Sequence, residues 1–250
     1  MLKLAKKVYK LGKNIVLSPF VISDYQDFKR LDTTPRFRLS PSDFFPQIFD
    51  KTLTTGFDRH YVYHTAWAAR KVREANPQKH VDIASSLYFP GIVSAFIPVD
   101  FYDYRPAPLH LSGLTTKHAD LTNLHFESNS IQSLSCLHTI EHVGLGRYGD
   151  PIDPQGDVKA CKELSRVLAP GGSLLFVTPV GKDAVIQFNA HRIYTYELVL
   201  KLFPDLELKE FSYVPEYGTE GIQEHANPVS LKNETYACGC FVFTKRSMLS

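Results

Sequence analysis

The sequence predicts an α/β protein built around a mostly parallel β-sheet, and one stretch of the chain carries the observations that predict it. Residues 131–137 and 173–180 are mostly apolar runs of strand length. Between them, residues 158–168 carry apolar side chains at helical spacing, with Asp157 placed to cap the helix. A Pro-Gly-Gly turn at residues 170–172 then ends the helix. Strand, loop, helix, tight turn and strand form the crossover unit of a parallel sheet.

The motifs of this stretch resemble a known family. SLSCLHTIEHV followed by ELSRVLAPGGSLLFVTPVG is similar to the fourth strand, loop, helix and fifth strand of class I S-adenosylmethionine-dependent methyltransferases. The blocks VDIASSLYFPG, FYDYRP, LSCLHTIEHVGLGRYGDPIDPQG and FNAHRIY resemble more closely an uncharacterised methyltransferase-like domain of unknown function, over residues 57–245. The resemblance implies a Rossmann-like, doubly wound, mostly parallel sheet of seven strands with an antiparallel last strand.

Composition limits the classes of partner and compartment. With 28 basic and 26 acidic residues the net charge is only +2, so no global field favours nucleic acid, and no nucleic-acid partner is expected. The four cysteines lack the paired spacing of a metal site and predict reduced thiols and a cytoplasmic location. No run approaches the ~18 apolar residues of a membrane span. Lysines interrupt the N-terminal apolar residues, so no signal peptide is expected.

Two regions are predicted, an N-terminal arm of residues 1–56 and a methyltransferase-like domain of residues 57–250. Residues 1–20 form a basic amphipathic segment with five lysines around an apolar face. It either makes weak contact with an anionic membrane surface or packs on its own domain with the lysines in solvent. Residues 21–56, with three prolines and no sustained period, predict an irregular arm.

Residues 58–74 are predicted to form a helix. In class I methyltransferases a helix at this place borders the cofactor pocket, so the resemblance makes Tyr63, His64 and Trp67 candidates to face a ligand. Ordinary aromatic packing against the sheet is the alternative interpretation.

Residues 80–83 predict the first strand, and the loop after it departs from the family's pattern. Methyltransferases place a glycine-rich turn there because the backbone must approach the cofactor closely. The corresponding positions hold Ala84, Ser86 and Tyr88, so Leu87 and Tyr88 must turn away if the cofactor is to fit. The candidate cofactor residues that the resemblance implies in this segment are Asp82, Ala84, Ser85 and Ser86.

Residues 97–103 and 115–121 predict the second and third strands. Asp103, at the tip of the second strand, is the candidate to accept hydrogen bonds from ribose hydroxyls, and an ion pair with Arg105 is the alternative. ADLTNLHF resembles the segment in which these enzymes bind adenine through an acid and the next backbone amide. The further cofactor candidates are therefore Asp120 and Leu121, together with Cys136 on the fourth strand.

The loop after the fourth strand is dense in polar side chains, and ligand sites in open parallel sheets lie outside the carboxyl ends of the strands. The candidate catalytic residues are His138, Glu141 and His142, because an imidazole titrates near neutral pH and a carboxylate can orient it. The candidate substrate residues are Arg147, Tyr148, Asp150, Asn189, His191 and Arg192. Arginines here can bind an anion, although residues 189–192 can equally close the fold by bonding loop backbone.

His138 to His142 also reads H-x-x-E-H, the spacing at which a helix presents two imidazoles to zinc. A sustained helix is not predicted, because strand-like residues precede this motif and glycines follow it. No metal is therefore expected.

Residues 196–203 predict a helix, residues 206–214 and 234–244 two final strands, and residues 215–233 a long polar loop. The leading functional hypothesis is an S-adenosylmethionine-dependent methyltransferase acting on a hydroxyl of a small or glycan-like acceptor. The second is a binding or scaffolding protein that keeps the fold without the cofactor, motivated by the missing glycines. The third is a zinc hydrolase that uses His138 and His142. The sequence gives no oligomeric state.

Overall fold

A computed structural model describes residues 19–246, and its contacts divide the chain into two units between Phe57 and Asp58. In the first unit, residues 19–31 are helical (α1) and a single 3-10 turn follows at Pro41–Asp43. The helix corrects the prediction that residues 21–56 are irregular throughout, since all three prolines of that segment lie beyond residue 31. Most of the predicted amphipathic segment, residues 1–18, lies outside the described residues.

The second unit is built on a seven-stranded sheet in the order β3-β2-β1-β4-β5-β9-β8. Strands β1 to β5 are mutually parallel, and β9 runs antiparallel to both of its neighbours, β5 and β8. This confirms the predicted mostly parallel sheet with an antiparallel last strand. A separate two-stranded hairpin pairs β6 with β7. The strands are β1 (His80–Ile83), β2 (Val99–Asp103), β3 (Leu114–His118), β4 (Ile131–Leu137), β5 (Leu168–Val180), β6 (Val185–Gln187), β7 (His191–Ile193), β8 (Leu206–Val214) and β9 (Ala237–Lys245).

Four helices complete this unit: α2 (Arg59–Ala75), α3 (Tyr88–Val93), α4 (Gly156–Val167) and α5 (Tyr196–Leu202). Three of them lie where the periodicity predicts helices, whereas α3 and the hairpin occupy segments interpreted as loops. The carboxylate of Asp58 caps α2 by accepting from the Tyr61 backbone N–H at 3.1 Å. Asp157 is not the cap of α4, because Gln155 takes that position and Asp157 lies buried in the first turn.

Hydrophobic side chains cover both faces of the sheet. Leu134 and Cys136 of β4 pack in one cluster with α4 and α5, while Leu137 packs in another with α2 and α3. Successive strand residues point to opposite faces, so a strand buried on both sides becomes a nearly continuous apolar run. All four cysteines are buried and free.

The direction of the crossovers places the site. From β1 the chain moves outward to β2 and β3, then returns to β4 on the other side of β1. The loops after β1 and β4 therefore leave the sheet in opposite directions, and a crevice opens between them at the carboxyl edge. Among residues 19–246, no helix has the length and apolar composition needed to cross a bilayer.

Candidate functional site

A cleft of about 350 Å³ lies at the carboxyl ends of β1, β2 and β4. Its walls come from four loops, at residues 83–86, 103–105 and 119–122 and at parts of 138–156, and Tyr61 of α2 adds to them. A volume of a few hundred Å³ is typical of a small-molecule pocket. Ten predicted site residues line it: Ala84, Ser85, Ser86, Asp103, Asp120, Leu121, His138, His142, Tyr148 and Asp150.

The loop after β1 adopts a glycine-like conformation without a glycine. Ala84 has φ 58°, in the left-handed region that side chains disfavour, at a cost of about 1–3 kcal/mol. Hydrogen bonds hold it there: its N–H donates to the Tyr102 carbonyl at 2.7 Å, and its carbonyl accepts from the Thr139 hydroxyl at 2.8 Å. The backbone therefore makes the close turn that the missing glycines would otherwise allow.

Asp82, near the end of β1, holds this loop in place through buried hydrogen bonds. It is wholly buried, and one of its carboxylate oxygens, Oδ1, accepts hydrogen bonds from the hydroxyls of Ser85, at 2.6 Å, and Ser135. The Ser85 oxygen in turn accepts from the Leu137 N–H at 3.0 Å, which ties the β1 loop to β4. Burial raises the pKa of Asp82 to about 7.

At the tip of β2, Asp103 lines the cleft and accepts the backbone N–H of Arg105 at 2.7 Å. The two side chains form no ion pair within residues 19–246. The Arg105 guanidinium lies instead 4.9 Å from the centre of the Tyr148 ring. After β3, Asp120 accepts from the N–H and hydroxyl of Thr122 at 2.8 and 2.7 Å, forming a compact turn at the cleft wall.

A sharp turn after β4 presents two histidines. His138 has φ 55°, and its Nδ1 lies 2.7 Å from Oε1 of Glu141. Burial raises the pKa of Glu141 to about 7 and lowers that of His138 to about 4. Nδ1 of His142 donates to the Ala190 carbonyl at 2.7 Å, which leaves its Nε2 as the basic nitrogen. Burial also lowers the pKa of His142, so the ring is neutral near pH 7.

A family model matches residues 113–237, half of the 250-residue chain. Its description is "Caenorhabditis protein of unknown function, DUF268". The chain belongs to this DUF268 family. No curated protein matches the sequence significantly.

Solved structures share the fold of this DUF268 chain. A proposed methyltransferase from Haloferax volcanii, in complex with the activator Trm112, has TM-score 0.50 and 16% identity, over 77% of this chain and 92% of that one. YcgJ from Bacillus subtilis has TM-score 0.52 and 10% identity, over 75% and 100%. A proposed sarcosine dimethylglycine methyltransferase from Galdieria sulphuraria has TM-score 0.52 and 14% identity, over 74% and 86%. At these identities the likeness shows the class I methyltransferase fold alone, as the motifs predicted.

Several predicted site residues of the DUF268 chain lie outside the cleft. Asp82 lies beneath the β1 loop, and Cys136 packs in the core. Glu141 is buried behind the histidines, at 1% exposure. Cys136 does not reach the cleft because successive strand residues point to opposite faces of the sheet, and its side chain lies on the face that α4 covers. The candidates that do not line the cleft are Asp82, Cys136, Glu141, Arg147, Asn189, His191 and Arg192.

Contacts with and from the hairpin account for the two arginines among these residues. Arg192 on β7 is buried, and its guanidinium donates to the Val143 carbonyl at 2.7 Å. Its Nε also lies 3.6 Å from the carboxylate of Asp157. Arg147 donates to the Ala190 carbonyl at 2.9 Å. The arginines therefore bond loop backbone, the alternative weighed for residues 189–192, instead of forming an anion clamp.

Leu87 and Tyr88, in the segment that is glycine-rich in methyltransferases, do not block the cleft. Tyr88 is 77% exposed and does not line it, and neither does Leu87. Sequence reasoning did not assign several wall residues to the site, among them Tyr61, Thr122 and Thr139. The ligand candidates predicted on the same helix are Tyr63, His64 and Trp67, and Tyr61 is not among them. His64 and Trp67 are buried, and the Trp67 indole donates to Glu210 at 3.2 Å, consistent with packing.

The H-x-x-E-H pair does not form a metal site within the described residues. Residues Ile140–His142 make one 3-10 turn and no sustained helix. Nδ1 of His142 is committed to the Ala190 carbonyl, and Nε2 faces Glu141 at 3.8 Å. The third hypothesis, a zinc hydrolase built on His138 and His142, therefore loses its geometric basis.

Proposed function

We propose that the protein is an S-adenosylmethionine-dependent methyltransferase that acts on a hydroxyl group of a small or glycan-like acceptor. One observation carries the proposal: the cleft between the β1 and β4 loops is open although the β1 loop has no glycine. In open α/β sheets ligands bind in this crevice. The fold shared with methyltransferases supports the cofactor class.

In this proposal each part of the cofactor is assigned to a different wall of the cleft. Ala84, in its left-handed turn, leaves room for the methionine portion beside β1. Asp103 offers a carboxylate to ribose hydroxyls at the tip of β2. Asp120 and Leu121 form the wall after β3, where an acid and a backbone amide can bind adenine.

When bound, the cofactor supplies an electrophilic methyl group, and the protein's work is to orient the acceptor and exclude water. His142 is the candidate base because it lines the cleft and its Nε2 is the nitrogen able to accept a proton. The Ala190 carbonyl fixes the tautomer. Tyr61 and Tyr148 lie in the same walls and are our candidates to contact the acceptor.

Calorimetric titration with S-adenosylmethionine tests the proposal. We expect saturable binding to the full chain, weakened in Asp103→Ala by about 1–3 kcal/mol, the loss typical of a charge-assisted hydrogen bond. Asp100→Ala is the matched control, since Asp100 lies on the same strand but pairs with Lys79 at 3.0 Å outside the cleft. We expect it to bind as the wild type does.

A second function has one observation in its favour. Ala84, Ser86 and Tyr88 replace glycines of the methyltransferase turn, as expected of a binding or scaffolding protein that keeps the fold without the cofactor. Absence of saturable heat for the folded wild-type protein would reject the enzyme and favour this alternative. Equal weakening by Asp103→Ala and Asp100→Ala would reject the assigned ribose contact.

A further inference from the structure

Three metal-ligating side chains from distant parts of the chain meet behind the wall of the cleft. His60 lies in the first turn of α2, His138 follows β4, and Cys238 lies on β9. One ligand atom from each lies within 4.8 Å of the other two, and all three residues are buried. His138 also lines the cleft, so the cluster adjoins the proposed cofactor site.

His138 carries an unsatisfied nitrogen within this cluster. Nε2 is buried and has no hydrogen-bond partner in the described part of the chain, although buried polar atoms are nearly always paired. The other nitrogen, Nδ1, lies 2.7 Å from Glu141. When Glu141 is ionised it can only accept, so the proton lies on Nδ1 and the Nε2 lone pair is free. Metal-bound histidines typically have such a carboxylate behind them, since it fixes the ring and raises its basicity.

The second imidazole is held alongside the first. The ring of His60 stacks on that of His138 with centroids 5.5 Å apart, and the Tyr236 ring packs against it at 5.1 Å. His60 and His138 therefore lie side by side in the packed interior, where Cys238 is buried as well.

We propose that His60, His138 and Cys238 bind one zinc ion with a fourth coordination position left open. Two imidazoles and a thiolate suit this borderline-soft ion, and three protein ligands are typical of zinc sites that keep an exchangeable position. Tetrahedral zinc places such donor atoms about 3.3–3.7 Å apart, closer than the 4.8 Å limit within which these three lie, so side-chain rotations must bring them together when the ion binds. The inference goes beyond the proposed function, because the site forms whether or not the cleft binds a cofactor.

Metal content of the full chain tests this site. Protein stripped with a chelator, reloaded with zinc and dialysed is expected to retain about one zinc per chain. Cys238→Ser should lose it, while Cys240→Ser should keep it. Cys240 is the matched control because it is also buried, on the same face of the same strand. Glu141→Gln should weaken zinc binding about 10–100-fold by loosening His138.

Cobalt(II) gives a second readout that needs no variant. Bound at the cluster, it should show the near-ultraviolet charge-transfer band of a cobalt–thiolate bond. If Cys238→Ser fails to fold, this wild-type spectrum still decides the proposal. Wild-type protein that retains no zinc and shows no cobalt–thiolate band would overturn it, as would Cys238→Ser that binds zinc like the wild type.

Discussion

The hydroxyl of Thr139 donates a hydrogen bond to the carbonyl oxygen of Ala84 over 2.8 Å. This bond joins the loop after β4 to the loop after β1, the two segments between which the cleft opens. It also fixes the peptide that follows the left-handed residue. The shape of the cleft therefore depends on a contact between residues 55 positions apart in the chain.

Thr139→Val removes this bond with little change in volume. We expect the free energy of unfolding to fall by about 1 kcal/mol and the affinity for S-adenosylmethionine to fall about 3–10-fold, since the β1 loop loses its tie. Thr116→Val is the control, because its hydroxyl donates to the Ala107 carbonyl at 3.0 Å away from the cleft. Urea unfolding and calorimetry measure the two effects. Equal affinity losses in both variants would contradict the assigned role of Thr139.

Ala84→Gly tests the strain in the β1 loop. Glycine adopts a positive φ without cost, so we expect the free energy of unfolding to stay constant or rise by up to about 1 kcal/mol. Ala160→Gly, inside α4, should instead lower it by about 1 kcal/mol or more. Urea unfolding of both variants makes the comparison. A loss in Ala84→Gly as large as that in Ala160→Gly would show that the φ of 58° is not strained.

Asp82 should produce a pH-dependent stability. Burial raises its pKa from 3.8 to about 7, so between these values the folded state holds a proton that the unfolded state has released. The contribution of this proton uptake to the free energy of unfolding is fully present below pH 3.8 and is lost as pH rises through about 7. Asp82→Asn cannot ionise. The unfolding free energy of the wild type minus that of the variant should therefore fall across this window, by about 1.4 kcal/mol per pH unit at most.

Asp100→Asn is the control for this titration. Although partial burial opposes it, hydrogen bonds from Thr115 and Lys79 lower the pKa of Asp100. The contribution of the Asp100 carboxylate to the free energy of unfolding is therefore lost only as pH falls through the acid range. The unfolding free energy of the wild type minus that of Asp100→Asn should stay constant from about pH 5 to 8. Urea unfolding over that range measures both. A flat difference for Asp82→Asn as well would show that its carboxyl is not shifted.

Arg192→Met tests whether this arginine holds the fold or binds an anion. Removing the guanidinium leaves the Asp157 carboxylate and the Val143 carbonyl without its contacts, so we expect a loss of about 3 kcal/mol or more in stability. Arg147→Met is the exposed control, expected within about 0.5 kcal/mol of the wild type. Thermal or urea unfolding distinguishes them. Unchanged stability in Arg192→Met would restore the anion-clamp interpretation.

Particular residues show how far the sequence could be interpreted. The apolar runs at residues 131–137 and 173–180 and the helical pattern between them predicted the central crossover. The predicted turn at residues 170–172 lies instead inside β5, which begins directly after α4. Strand ends predicted that Asp103, Asp120 and His138 would meet. The same reasoning misplaced Arg192, because a hairpin too short to leave a periodic signal turns its side chain inward. It also misplaced Cys136, whose face of the strand depends on which helices cover it.

The sequence by itself determined the outline of the architecture. Hydrophobic periodicity encodes most of the helices and strands locally, and the resemblance to methyltransferases implied the seven-stranded sheet with its antiparallel last strand. Only the tertiary structure decided the details of the site. The left-handed turn at Ala84 and the meeting of His60, His138 and Cys238 arise from packing between segments far apart in the chain. A local sequence pattern does not predict such contacts, because the same short segment is compatible with many tertiary arrangements of the remaining chain.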